Sequence, residues 1–480
     1  MSPVIGLIGV IIALALFLVL VYKGWASHWV APICAIIVAV FNQMAPEELI
    51  SSYISGIADL MTSLFFIVFF GATLGKIYSD TGAASSIAKT LTNTFVIKRK
   101  GDAQIRAAIF SILILSALLT MGGIDGYVLT FTVIPICFVI SEMVDIPRRF
   151  IPGMMVLNCG FMAAPGAPQI DNIMAQAGIM SGVANNEALA PALAHGFHVS
   201  STAGLIPGII AVIIIAGGGY LTLTHMIIKA KHNGEHFDWG SRPNMNEGEE
   251  RGLPNFIVSL VPLILVFGAY TLFPAITGIN VNIAIALGLG IVAALILMGR
   301  NLPTKDGRGN TLSMGGSVVQ TLNRGTEEYP GALLMVTTPA ALAAVVTATA
   351  AFGMVIESLA SFSVHYIVLA IVVVCIIVGM TSSPPAALMV ALPVVLGVML
   401  GQGYTTDEVL SSAPALARVS ALAATTFETL PFNGLIVLTL KMTGTTHKES
   451  YKPMFIMSVG FTLLGTIVAG ILLMLFPGLA

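Results

Sequence analysis

The chain has 480 residues, 56% of them hydrophobic and 9% charged, with a formal net charge of −2. Soluble domains carry about a quarter charged residues, so this composition and a mean hydropathy of +0.95 exclude a water-soluble globular enzyme. They also leave no basic surface for nucleic acid, and they predict an all-α polytopic membrane protein.

A membrane-spanning helix needs about 20 mostly apolar residues. Val4–Tyr22, Trp29–Met44 and Ile57–Tyr78 qualify. The first lacks a basic n-region and an A-x-A site and reads as a retained span. Ser85–Lys100 is amphipathic, ends in Lys98-Arg99-Lys100, and reads as a helix lying at the cytoplasmic interface. Ile105–Ile140 is divided at Met121-Gly122-Gly123-Ile124-Asp125-Gly126-Tyr127. Each arm is about 15 residues, roughly 22 Å of helix against a core of about 30 Å, which predicts a re-entrant hairpin. Phe150–Ile179 is broken at Ala163-Ala164-Pro165-Gly166-Ala167-Pro168, and Val199–Ile228 closes the half. Ala230–Arg251 is polar and reads as a solvated linker.

The pattern then restarts. Pro254–Phe273 and Ile279–Met298 match the first two spans, and Pro330–Ser358 the third. Tyr366–Met399 is broken at Thr381-Ser382-Ser383-Pro384-Pro385, Leu410–Leu440 is broken at residues 425–434, and Met454–Phe476 ends the chain. Landmarks keep a near-constant offset: Met121 to Met380 is 259 and Pro168 to Pro431 is 263. The predicted organisation is a first repeat at 1–229, a cytoplasmic linker at 230–253 and a second repeat at 254–480. Five crossings per half is an odd number, so the second repeat should be inverted. With Lys23 inside, 20 of the 21 basic residues fall on inner segments and only Arg418 does not, as the positive-inside rule requires. Both termini are then outside.

Inverted repeats with interrupted helices are the architecture of secondary transporters, whose sites lie where the breaks meet. Half-helix N-termini present unbonded N–H groups that favour anions. The candidate ligands are Gly122, Gly123, Gly166, Thr381, Ser382, Ser383, Thr425 and Thr426, with the amides Gln169, Asn172 and Asn433. No Arg lies within the breaks, so an organic anion is expected to be held without a fixed cation. Asp125, Asp171 and Glu428 are the acids deepest in apolar surroundings, and such residues mark ion or proton pathways. Burial favours the neutral carboxyl, which suits a carrier taking a proton together with an anion. His195 and His198 fall at an outer end and read as ordinary interfacial residues. Cys34, Cys137, Cys159 and Cys375 lie in apolar spans without CxxC spacing and read as core. There is no P-loop, HExxH, GxGxxG or GxSxG, so no enzyme and no ATP-driven pump is expected, and no cofactor. Unwound carbonyls beside Thr and Asn leave sodium coupling open, and the buried acids leave open a channel or a cation/proton antiporter.

Three places carry a family resemblance: Ile124-Asp125-Gly126-Tyr127 leading to Pro135, the turn Pro165-Gly166-Ala167-Pro168, and the Ser/Thr-rich breaks of the second half. With the repeat layout, they resemble the gluconate permease family, within the ion-transporter superfamily of organic-anion carriers. The resemblance implies a proton symporter of a small hydroxy-acid anion in a bacterial inner membrane. It further implies a dimeric scaffold domain and a transport domain that moves as an elevator. The turn at Ala164–Pro168 carries no His, and Phe427–Gly434 stands where gluconate-type members have a His-x-Asn-Asp-Ser-Gly run. Both differences favour an organic anion other than gluconate.

Overall fold

Backbone that crosses a bilayer has no water to bond, so apolar runs of this length close their hydrogen bonds internally as helices. The computed structural model of the chain describes all residues except 1–2, 24, 26, 125, 241–251, 280, 306–309, 361–363, 382–383 and 432. The first half comprises α1 (Pro3–Tyr22), α2 (Ser27–Asn42), α3 (Pro46–Asp80), α4 (Ala83–Phe95), α5 (Asp102–Met121) and α6 (Gly126–Val144). A chopped segment follows: a 3-10 turn at Arg148–Phe150, α7 (Ile151–Met155), a second 3-10 turn at Val156–Asn158 and α8 (Cys159–Met162). Then come α9 (Ile170–Ala184), α10 (Pro191–Ala194) and α11 (Leu205–His232).

The second half runs through α12 (Phe256–Phe267), a π-helical turn at Gly268–Leu272, α13 (Phe273–Thr277), α14 (Ile283–Met298), α15 (Met314–Thr347) and α16 (Ala350–Ala360). It continues with α17 (Tyr366–Thr381), α18 (Pro384–Gly401), α19 (Thr406–Glu428), α20 (Gly434–Thr443), α21 (His447–Phe455), a π-helical turn at Ile456–Gly460 and α22 (Phe461–Leu475). Among the described residues there is no strand, only an isolated bridge between Lys305 and Thr311. Asp102–Met121, Leu205–His232, Ile283–Asn301 and His447–Leu475 are each long and apolar enough to cross a bilayer. The arms of the first hairpin, α5 and α6, thus run 20 and 19 residues, longer than the roughly 15 expected from the sequence. Large apolar side chains such as Val40, Leu221, Ile257, Ile276 and Ile296 stand exposed on the outside of the bundle, as lipid contact requires.

Packing relates the halves in pairs. α3 packs along α15, and α11 along α22. α1 lies on α2 as α12 lies on α14, and α2 meets α15 as α14 meets α3. α1 touches α16 as α12 touches α4, and α9 packs on α18 as α20 packs on α6.

Two further expectations are corrected. The third span of each half is longer than hydropathy predicts, 35 residues in α3 and 34 in α15. Polar residues extend these helices beyond the apolar run, with Pro46 in the first turn of α3 and Ser313 capping α15 through the Gly316 N–H. The stretch expected as Pro330–Ser358 is consequently divided, and α16 starts anew where the Thr349 hydroxyl accepts the Phe352 N–H at 3.2 Å.

The second correction concerns the linker. Its first residues are not free in solvent but form a strap across the corner between α6 and α7. The Arg149 guanidinium donates to both Glu235 carboxylate oxygens, at 2.6 and 2.8 Å. The Phe237 N–H and the His236 ring each donate to Asp145 at 2.9 Å. The Trp239 indole donates to Glu142 at 2.9 Å and stacks on Phe138, with ring centroids 5.4 Å apart. Charges on the strap find opposite partners almost a hundred residues away, which no local pattern reveals. Partial burial alone would push the Asp145 carboxyl up. The Phe237 N–H, the His236 ring and the Lys231 ammonium outweigh it and hold the group below the usual carboxylate range.

Candidate functional site: the junction of the broken helices

Pro165 and Pro168 have no N–H to continue a helix, so α8 ends at Met162 and α9 restarts at Ile170. The carbonyls released between them are buried and need donors. The Asn172 amide donates to the Ala164, Ala167 and Met162 carbonyls at 2.8, 3.1 and 3.3 Å. The Thr271 hydroxyl donates to the Gly166 carbonyl at 2.5 Å, and the Gly166 N–H donates to the Ser201 carbonyl at 2.9 Å. Gly166 has φ +74°, and a Cβ there would lie 2.6 Å from Thr271 Cγ2. Only glycine meets both conditions without strain.

Arg418 completes this turn from the other half of the chain. Its side chain is buried at 3% exposure. Nη1 donates to the Ala163 carbonyl at 2.7 Å and to Asn172 Oδ1 at 2.9 Å. Nε donates to the Ala203 carbonyl at 2.8 Å, and Nη2 to the Ser201 carbonyl at 3.2 Å. The expectation of a site without a fixed cation is therefore corrected. Arg418 was legible as the one basic residue off the inner side, but it lies outside every break in sequence and is brought to one only by the crossing of α19 over α9.

Two turns further along α19, the Thr425 hydroxyl donates to Asp171 at 2.9 Å, a second bond between α9 and α19. Glu428, at the end of α19, is buried as well. Asp171 and Glu428 both lie within electrostatic reach of the same buried thiol, Cys159, so two of the three predicted acids share one junction. Asp125, Ser382 and Ser383 lie outside the described residues, as does the side chain of Thr381.

The remaining predicted residues take structural duties. Gln169 donates to the Thr120 and Ile124 carbonyls at 2.6 and 3.3 Å, fastening the first hairpin tip to the first break. Gly122 and Gly123 sit against apolar walls. A Cβ on Gly122 would lie 2.5 Å from Leu263 Cδ2, and one on Gly123, with φ +84°, 3.0 Å from Leu287 Cδ2. Thr426 donates to the Leu422 carbonyl at 3.2 Å within its own helix, and Asn433 caps α20 by accepting the Leu435 N–H at 2.8 Å. The second hairpin reaches the second break, since a Cβ on Gly379 would lie 3.9 Å from Phe427.

Asn158 escaped the sequence reading. It is buried at 1% exposure, and its Nδ2 has no hydrogen-bond partner among the described residues. A Cβ on Gly126, the first residue of α6, would lie 3.6 Å from that nitrogen. Ser116, Thr120 and Ser420 also carry buried hydroxyls without partners among the described residues. Orphaned polar groups in a folded interior call for a ligand or water. Nothing local marked Asn158, because the apolar run around it gave no break. A cleft of about 290 Å³ borders the first break, lined by Gln176, His198, Ser200, Ser201, Tyr270 and Thr271. Among the described residues no group of three or more His, Cys, Asp or Glu is placed to hold a metal.

No family model matches the chain. The chain is 25% identical to the uncharacterized transporter YxjC of Bacillus subtilis (strain 168) over 493 aligned positions, covering 94% of this chain and 95% of that one. It is 26% identical to the Gnt-II system L-idonate transporter of Escherichia coli (strain K12), over 60% of this chain and 61% of that one. Identity to the high-affinity gluconate transporter of the same organism is 30% over 152 residues, 32% of either chain. Among solved structures, the Alcanivorax borkumensis YdaH transporter shares the fold with a TM-score of 0.52 at 13% identity, over 91% of this chain and 90% of that one. The helical bundle and these relatives define a multi-pass membrane transporter. Within that class, two of the relatives are named for L-idonate and for gluconate.

Proposed function

We propose that the protein is a proton-coupled symporter of a gluconate-like hydroxy-acid anion in a bacterial inner membrane, with both termini outside. The carrying observation is the shared junction of Arg418, Asp171 and Glu428. With both acids ionised, the three side chains sum to one negative charge, which repels an anion. A proton on either acid makes the sum neutral, so anion and proton enter more readily together than apart. The Asn158 amide and the N-terminus of α6 supply unsatisfied donors for a carboxylate or a hydroxyl. The polar cleft at Ser200, Ser201 and Thr271 gives the outer approach.

The paired packing of the halves supports two inverted repeats with the boundaries read from the sequence. The same pairing supports a scaffold built on α3 and α15 beside a moving domain of hairpins and broken helices, working as an elevator. A homodimer belongs to the same reading through the family resemblance.

The test is uptake of labelled gluconate and idonate into proteoliposomes, with pH and Na+ gradients imposed separately. A pH gradient alone should drive accumulation. Glu428→Gln and Asp171→Asn should lose accumulation yet keep substrate exchange. Uptake driven by Na+ alone would replace proton coupling with sodium coupling, and undiminished accumulation in both variants would remove the acids from the mechanism. Cation-dependent proton release without anion uptake would make the protein an antiporter.

A further inference from the structure

An open groove lies away from the junction, between α4 and α6. It has a volume of about 500 Å³ and two unlike walls. On α4, Ser85, Lys89, Thr92 and Asn93 recur at helical spacing and form a polar stripe carrying one cation. On α6, Ile136, Val139, Ile140 and Met143 form an apolar stripe of the same length, and Leu253 closes the end near Ile97. Ile97, Val139 and Met143 are exposed, as is Lys89. A purely apolar groove would accept any acyl chain. This one pairs an apolar wall with hydroxyls, an amide and an ammonium, and the exposed basic run Lys98-Arg99-Lys100 follows directly on α4.

We propose that the groove is a seat for one anionic phospholipid, its acyl chain along α6 and its phosphate on Lys89 and Asn93. Opposite charge selects the headgroup, and Ser85 and Thr92 can donate to its oxygens. The site does not depend on the transported substrate or on the coupling ion.

The experiment uses the full chain, purified from mixed vesicles of phosphatidylglycerol and phosphatidylethanolamine, with bound lipid counted by native mass spectrometry. The wild type should retain phosphatidylglycerol in preference to phosphatidylethanolamine. Lys89→Gln should weaken that retention about fivefold, the effect of one basic residue at an anionic headgroup. Val139→Trp, at an exposed position, should fill the groove and abolish retention. Lys98→Gln should leave retention unchanged, because it lies outside the groove. Melting in lipid-free detergent should be the same for all four proteins, which separates lipid loss from misfolding. Equal retention of the two lipids by the wild type overturns the proposal. So does an equal loss in Lys98→Gln and Lys89→Gln, which would mean diffuse attraction to the membrane surface.

Discussion

The two helix breaks face the same problem and solve it with different partners. At the first, the carbonyls of Ala163 and Gly166 are satisfied by Arg418 and Thr271, which lie 255 and 105 residues away in sequence. At the second, the donors come from nearby. Tyr451 bonds the Thr429 carbonyl at 3.0 Å, His447 bonds the Pro431 carbonyl at 2.7 Å, and Thr429 donates to Ser458. The first break is thus a joint between the halves, and the second is closed largely within its own. Damage to the first should propagate across the molecule, while damage to the second should stay local.

The largest effect is expected from Arg418→Met. It strands three buried acceptors, the Ala163 and Ala203 carbonyls and Asn172 Oδ1, each costing about 1–3 kcal/mol, and should remove most folded protein from size-exclusion profiles in detergent. Arg418→Lys keeps a charge but not the fork that reaches four acceptors, so it should restore part of the yield and little uptake. Full yield and uptake in Arg418→Met would dissolve the contrast between the breaks.

Next comes Gly166→Ala, which forces a side chain into a left-handed conformation and against Thr271. The expected loss is about 1–3 kcal/mol, read as a lowered melting temperature. Adding Thr271→Ser removes the clashing methyl and retains the hydroxyl, so it should recover the steric part only. Tyr451→Phe, at the second break, should cost about 1 kcal/mol and leave the substrate KM unchanged. A shifted KM in Tyr451→Phe would show that the second break is no more local than the first.

The smallest effect belongs to the strap. Its stabilisation from Asp145 is present above the ordinary carboxylate pKa of about 4 and is lost as pH falls through the group's lower value in the folded protein. Trp239 fluorescence should be steady from neutral pH down to about 5 and change below about 4. Asp145→Asn should abolish that transition, and a transition that survives the substitution would assign it to another group.

Much of this was readable in the chain. Pro165, Gly166 and Pro168 announce a helix interruption by their own stereochemistry, and so does Gly123. Asp171 declared itself as a carboxylate in an apolar run. Arg418, Asn158 and the strap did not, because their partners are far away in sequence and burial is a property of the packed bundle. Arg418 sits on a helix with ordinary capping at Thr405 and Glu408; only its exclusion from the inner-side basic set singled it out. The division of α15 from α16 was hidden because the apolar run continues through Ala348 and Thr349, and only a hydroxyl cap marks the boundary.

The bond from Arg418 to Asn172 also sets a timetable for biosynthesis. Asn172 is made 246 residues before its partner. At roughly 5–20 residues per second, the ribosome needs about 12–50 s to supply the guanidinium. Through that interval the nascent first half sits in the bilayer with an unfinished turn, whose exposed carbonyls must be held by water or by the insertion machinery until the later helix arrives.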